Sequence, residues 1–221
     1  MSIEHECGVL AVALKKPLKE YPLGGATLYG LLSLIELYNR GQQGSGIAFY
    51  NPHKERNRLE VQKNRGSAED LIKSINLNET QSTVMIGHTR YTTSGSDIED
   101  ELQPFFRRHE KRLKKFAIAF NGNLANHKKL EEMLKDEQDY ELNTFVDTEV
   151  IMHLISICIK ENNLDYLSVP EQIHAKLDGA YNVLILNGHG ELYAFRDPNG
   201  FRPLAYGENE NLFAIASEST A

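Results

Sequence analysis

Cys7-Gly8-Val9-Leu10-Ala11-Val12-Ala13-Leu14 is the stretch whose reading decides the fold. From Gly8 onward it is a continuous apolar run of strand length, which reads as a buried strand. Pro17 and Pro22 bracket the loop that follows. A helix is then expected over about residues 26–39, with Leu28, Leu31, Leu32, Ile35 and Tyr38 at helical spacing. It ends at Arg40-Gly41, glycine standing where a C-cap belongs. Short strands are expected at 47–50, 59–63, 84–88 and 116–120, and helices near 126–134, 148–160 and 170–177. In the second of these helices Ile151, Leu154, Ile155 and Cys158 share one face. Strands return at 181–186, 192–195 and 212–216, the first two joined by the turn Gly188-His189-Gly190. Early strands, central helices and late strands predict an α+β domain with sheets and helices in separate layers.

The 221 residues are 41% hydrophobic and 25% charged, which suits one domain with a sizeable core and excludes a disordered chain. No run approaches the roughly 18 apolar residues of a membrane span. The first residues lack the basic and apolar regions of a secretory signal, so a cytoplasmic location is the default expectation. A formal charge of −7 argues against general nucleic-acid binding. The basic run Arg107–Lys115 reads as a solvated loop between strands rather than a nucleic-acid patch. Cys7 and Cys158 are too few for a disulfide framework, and the eight histidines show no metal-ligand spacing.

Several residues carry chemistry beside a plainer reading. Cys7 is a buried structural thiol or, if residues 1–6 were removed, an N-terminal nucleophile with its own α-amine as base. An α-amine has a pKa of about 7.7–8.0 and is partly neutral at pH 7. Asn121-Gly122-Asn123 is a turn, or it supplies an amide and a backbone N–H to an oxyanion. Arg90, in Gly87-His88-Thr89-Arg90-Tyr91, is a surface charge or a bidentate fork for a carboxylate. Asp147 is a helix N-cap, a receiver for an ammonium, or both. Arg40-Gly41-Gln42-Gln43-Gly44-Ser45-Gly46 matches neither phosphate-loop pattern, and a glycine-rich turn packed beside an active site is the better reading. A nucleophile, an oxyanion pair, a carboxylate fork and an ammonium site together describe glutamine, whose side-chain amide a thiol can attack.

Those residues resemble the class II, N-terminal-nucleophile glutamine amidotransferases, and within them the amidophosphoribosyltransferase branch of purine synthesis. The resemblance rests on Glu6-Cys7-Gly8-Val9, Arg40-Gly41-Gln42, Gly87-His88-Thr89-Arg90-Tyr91, Gln103-Pro104-Phe105, Asn121-Gly122-Asn123-Leu124, Asp147-Thr148-Glu149 and Arg196-Asp197-Pro198-Asn199-Gly200-Phe201-Arg202-Pro203-Leu204. It implies a four-layer αββα sandwich over residues 7–221, preceded by a six-residue propeptide. It implies Cys7, Asn121 and Gly122 as catalytic groups. Arg90 with Thr93 nearby would take the glutamine carboxylate and Asp147 its ammonium, while Arg40 and Gly41 would line the pocket. No cofactor is expected in this chain; Mg2+ is expected only with a phosphoribosyltransferase domain, which is not expected within these residues because no Asp-Asp pair follows an apolar strand. Expected partners are glutamine and such a domain or another ammonia acceptor, with a homo-oligomer left open. Phe120 stands where this branch usually has histidine, so an altered pocket wall is expected. Another amide hydrolase on the same fold, or a non-catalytic regulatory module, are the alternatives.

Overall fold

The computed structural model describes residues 7–91, 99–136, 138–144 and 146–221. Its strands are β1 (Gly8–Leu14), β2 (Gly44–Tyr50), β3 (Leu59–Arg65), β4 (Val84–Arg90), β5 (Phe105–Arg107), β6 (Phe116–Leu124), β7 (Gly179–Asn187), β8 (Leu192–Arg196), β9 (Ala205–Glu208) and β10 (Leu212–Ala216). Its α-helices are α1 (Ala26–Glu36), α2 (Ala68–Ser74), α3 (His127–Asp136), α4 (Asp147–Glu161) and α5 (Val169–His174). The strands form a six-stranded sheet, β3-β2-β4-β1-β10-β9, and a four-stranded sheet, β5-β6-β7-β8. Neighbouring strands within both are antiparallel.

Side-chain alternation along each strand sorts the residues into layers. Leu10 and Val12 of β1, Ile47 and Phe49 of β2, and Met85 of β4 pack with Leu31, Leu34 and Leu37 of the α1 region and Leu71 of α2. Phe116, Ile118 and Phe120 of β6 and Val183 and Ile185 of β7 pack with Val150, Ile151, Leu154 and Cys158 of α4. The other faces meet between the sheets, where Val9, Ala11, Ala48, Ile86, Ala117, Ala119, Leu184 and Leu186 are buried together. Helices outside, two sheets inside: this is the four-layer αββα sandwich. The alanines in the middle layer permit the close stacking of the sheets.

The α4 face agrees with the sequence expectation, since Ile151, Leu154, Ile155 and Cys158 are all fully buried. The α1 face is rotated from it. Leu32 and Tyr38 are about half exposed, and Leu34 and Leu37 are buried instead. The cause is Gly30, whose bare Cα lies directly over the Met85 side chain and turns the Leu31–Leu34 side of the helix onto β4. The expected turn at Asn121-Gly122-Asn123 is also corrected: β6 runs on through Leu124, paired with β7 down to Gly179. Among the described residues no helix is long and apolar enough to cross a membrane.

The middle layer yields a stability test. Ala117 is completely buried and its Cα faces Leu186 and Phe106 across the strand pairs. Ala117→Leu forces extra methylenes between close-stacked sheets and should cost about 1–3 kcal/mol. Urea unfolding measures it; an unchanged midpoint would contradict close stacking here.

Candidate active site

The antiparallel register of β1 and β4 places Gly8 opposite Thr89, so Cys7 lies at the level of Arg90. Parity sends Cys7, like Val9 and Ala11, toward the layer between the sheets. Arg90 follows Ile86 and His88 on the same face of β4, and Asn121 follows Ala117 and Ala119 on the facing surface of β6. Three of the expected site residues thus converge on one end of the inter-sheet layer.

The Cys7 thiol donates to the Tyr91 carbonyl at 3.9 Å. Burial pushes its pKa up; the Tyr91 backbone and the positive charges of Arg90 and Arg202 oppose that rise. β10 holds β1 in place just beyond the thiol. The Ser217 hydroxyl accepts the Val9 N–H at 2.9 Å, and the Ser217 N–H donates to the Val9 carbonyl. Gly41 explains itself by contact: a Cβ there would collide with the Arg90 carbonyl group and the Tyr91 nitrogen. The Arg40 stem lies beside Gly8, where a Cβ would come within 3.1 Å of it, and Arg40 Nε donates to Glu218 at 2.6 Å. The contacts of Arg40 and Gly41 found among the described residues therefore buttress Cys7 and Arg90 from behind.

The Arg90 guanidinium donates to the Glu101 carboxylate. This guanidinium already holds a carboxylate. Thr93, and the six residues before Cys7, lie outside the described residues.

Asn121 and Gly122, expected from the sequence as an oxyanion pair, lie on the edge of β6. Phe120 N–H points away from β7 and donates to Gln103 Oε1 at 2.7 Å. Leu124 N–H points the same way and donates to Asp147 Oδ2 at 2.9 Å. Backbone N–H direction alternates along an antiparallel strand. Gly122 N–H therefore lies between them on the same edge, past the last β5 pairing at Ile118. The Asn121 side chain is next to it, 1% exposed, and its Nδ2 has no hydrogen-bond partner among the described residues. A buried amide donor without a partner costs about 1–3 kcal/mol, so its position calls for an explanation, of which a ligand is one. Gly122 cannot carry a side chain, because a Cβ would sit 2.6 Å from the Ala180 oxygen and from the Phe120 ring.

Asp147 is the first residue of α4, but its carboxylate is turned to the β6–α3 junction rather than to its own helix. Its second oxygen meets His127 Nδ1 at 2.6 Å. The neighbouring Glu149 caps the preceding loop through the N–H groups of Asn143 and Thr144. Those bonds and His153 hold its pKa at about 2 against the opposing effect of burial. Phe120 corrects an expectation. Its ring is 4% exposed in the helix-side core, on the face of β6 opposite Asn121, so it supports Gly122 from below and forms no wall beside the thiol. His127, Gln103 and Arg202 were not expected as members of the site. Nothing in their spacing marks them, although Gln103 and Arg202 lie in recognised motifs. Arg202 Nη1 donates to Asn121 Oδ1 at 3.4 Å.

A family model described as a glutamine amidotransferase domain matches residues 88–221. The chain belongs to that family. Among its relatives is an amidophosphoribosyltransferase of Pasteurella multocida, 31% identical over 97% of this chain and 42% of that protein. Another is amidophosphoribosyltransferase 1, chloroplastic, of Arabidopsis thaliana, 34% identical over 98% of this chain and 35% of that protein. The glutamine phosphoribosylpyrophosphate amidotransferase from B. subtilis, solved with ADP and GMP, superposes with a TM-score of 0.76 at 30% identity, covering 96% of this chain and 42% of that one. The chain spans about two fifths of the length of these relatives. The amidotransferase fold expected from the sequence is the fold observed. A groove of about 950 Å3 lined by Leu59, Lys63, Phe106, Arg108 and Lys115 lies elsewhere and includes none of the amidotransferase site residues. Among the described residues no cluster of three or more His, Cys, Asp or Glu could hold a metal ion.

His88, in the same layer, makes the site end of the domain sensitive to acid. Its ring is completely buried, and desolvation first and the Arg90 charge second push its pKa down to about 3, with the Phe120 backbone partly opposing. The unfolded value is about 6.5. Between these values the unfolded chain binds the proton and the folded chain does not, so stability falls as pH falls below about 6.5, by up to about 1.4 kcal/mol per unit. Glu149 enters only lower, between its unfolded 4.5 and about 2. Urea unfolding of wild type and His88→Gln between about pH 6.5 and 5 should show a flatter slope for the variant; identical slopes would contradict a buried neutral imidazole.

Proposed function

We propose that this chain hydrolyses the side-chain amide of glutamine to glutamate and ammonia, with Cys7 as nucleophile. The observation that carries the reading is the buried Asn121 Nδ2, without a partner among the described residues, beside the Gly122 N–H on the face of β6 that meets the layer of Cys7. Removal of residues 1–6 exposes the Cys7 α-amine, which takes the thiol proton as sulfur attacks the amide carbon. The carbonyl oxygen becomes an oxyanion, and Asn121 Nδ2 and Gly122 N–H receive it. Each such donor is worth about 2.7–4 kcal/mol of barrier. The C–N bond then breaks, the ammonium form of the α-amine protonates the leaving NH2, and a glutamyl thioester remains. Water activated by the same amine attacks the thioester, restores the thiol and releases glutamate. Arg90 binds the α-carboxylate in place of Glu101, Thr93 is a further candidate to assist it, and Asp147 binds the α-ammonium at the far end of the same edge of β6.

The names of the relatives point to the fate of the ammonia. Transfer to a phosphoribosyl group, through a phosphoribosyltransferase domain or partner, is the use this reading favours, which places the chain in purine synthesis. That step uses residues other than those described above.

The chain should lose its first six residues, a change read by intact mass. The mature form should release ammonia from glutamine, and Cys7→Ala should abolish it. A mature wild-type chain with no glutaminase activity, or a fully active Cys7→Ala, would overturn the reading. Arg90→Lys should raise KM for glutamine about 10–100-fold, the equivalent of one charge-assisted bidentate contact, because lysine has no fork. An unchanged KM would remove Arg90 from the carboxylate site.

A further inference from the structure

We propose that Arg202 is a positioning residue for glutamine hydrolysis: its guanidinium fixes the Asn121 amide with its NH2 end toward the reacting carbon. This rests on the reading of Cys7 and Asn121 given above. An asparagine amide has an accepting end and a donating end, and either orientation fits the same volume. A guanidinium only donates. Arg202 Nη1 lies 3.4 Å from Asn121 Oδ1, so the reversed amide would set two donors against each other. One orientation remains, and it leaves Nδ2 as the end without a partner.

The arginine is itself held. Its Nε donates to the Ala180 carbonyl at 3.2 Å, at the start of β7. The next residue clamps the neighbouring strand, since the Pro203 carbonyl accepts Asn182 Nδ2 at 2.8 Å and Asn182 is the cross-strand partner of Asn121. The loop that delivers Arg202 is built on buried Asp197, which is 2% exposed. Asp197 Oδ1 accepts the Asn199 N–H at 3.0 Å, and Oδ2 accepts the N–H groups of Tyr181 and Phe201 at 3.2 Å each. Gly200 takes the turn at φ +64°. Asp197, Gly200 and Pro203 thus shape a loop that brings the Arg202 guanidinium to the Asn121 amide. The Arg202 charge also opposes the rise that burial gives the Cys7 pKa.

The test uses the mature chain, with Arg202→Met, Arg202→Lys, Asn121→Ala and the Arg202→Met/Asn121→Ala double variant. Four quantities are read: kcat, KM for glutamine, the pH midpoint of Cys7 alkylation by iodoacetamide, and the thermal midpoint. Arg202→Met should lower kcat about 10–100-fold, the range for weakening one oxyanion donor. KM should stay within about threefold if Arg202 acts through Asn121 rather than on glutamine, and the alkylation midpoint should move to higher pH. In the Asn121→Ala background the same substitution should cost far less in kcat, since the group it positions is gone. Arg202→Lys should keep the alkylation midpoint and still lose kcat, and it carries the test should Arg202→Met not fold. Unchanged kcat, or a kcat loss that is fully additive with Asn121→Ala and leaves the alkylation midpoint in place, would overturn the proposal. A wild-type chain inert toward glutamine would sink the proposed function instead, and the alkylation midpoints alone would then decide whether Arg202 acts on Cys7.

Discussion

Everything at this site depends on how closely two antiparallel sheets stack. Ala11 of β1, Ala48 of β2, and Ala117 and Ala119 of β6 let the two sheets approach, and Val9, Ile86, Leu184 and Leu186 fill the rest of the layer between them. Strand parity then leaves no freedom about which residues face that layer. Where the small apolar residues end, Cys7, Arg90 and Asn121 continue the same alternation. A one-residue slip of β1 against β4 would turn Cys7 toward α1 and remove its thiol from the layer that holds the Asn121 amide. Register is therefore the quantity that the fold protects. Gly41 packed on the Arg90 backbone, and Ser217 bonded twice to Val9, are local devices that protect it.

The second consequence is an unusual use of a strand edge. β6 outruns β5, so its N–H groups beyond Ile118 have no ladder partner on that side. Gln103 closes one and Asp147 another, and the Gly122 N–H lies between them. Asp147 therefore has two roles on one carboxylate. It closes the strand edge with one oxygen and meets His127 with the other, and its fixed position follows from both bonds. The motifs that make the family recognisable are the places where side chains complete these backbone positions.

Much of this was legible in the sequence. The buried run at Gly8–Leu14 and the apolar stripe of α4 predicted the α+β layering, and the residues Cys7, Arg90, Asn121, Gly122 and Asp147 were marked by their chemistry. Other features were not. β5 and β9 are three and four residues long, too short for periodicity to register. α2 is seven residues, yet its Ser67-x-x-Asp70 capping box was a readable start signal. Asn121-Gly122-Asn123 has the composition of a turn, and only pairing with β7 makes it a strand. His127 with Asp147, and Arg202 with Asn121, are 20 and 81 positions apart and meet through tertiary packing alone. Phe120 illustrates the same point. Its chemistry suggests a changed pocket, while its parity places it in the opposite core.

The central claim is that a thioester forms on Cys7 with its oxyanion held by β6. Rapid mixing of the mature chain with glutamine, an acid quench and peptide mass analysis test it most directly. The account predicts a glutamyl adduct confined to the Cys7 peptide, appearing within the first turnover and absent from Cys7→Ala. Glutamine turnover with no adduct on Cys7, or with the adduct on another residue, would contradict it.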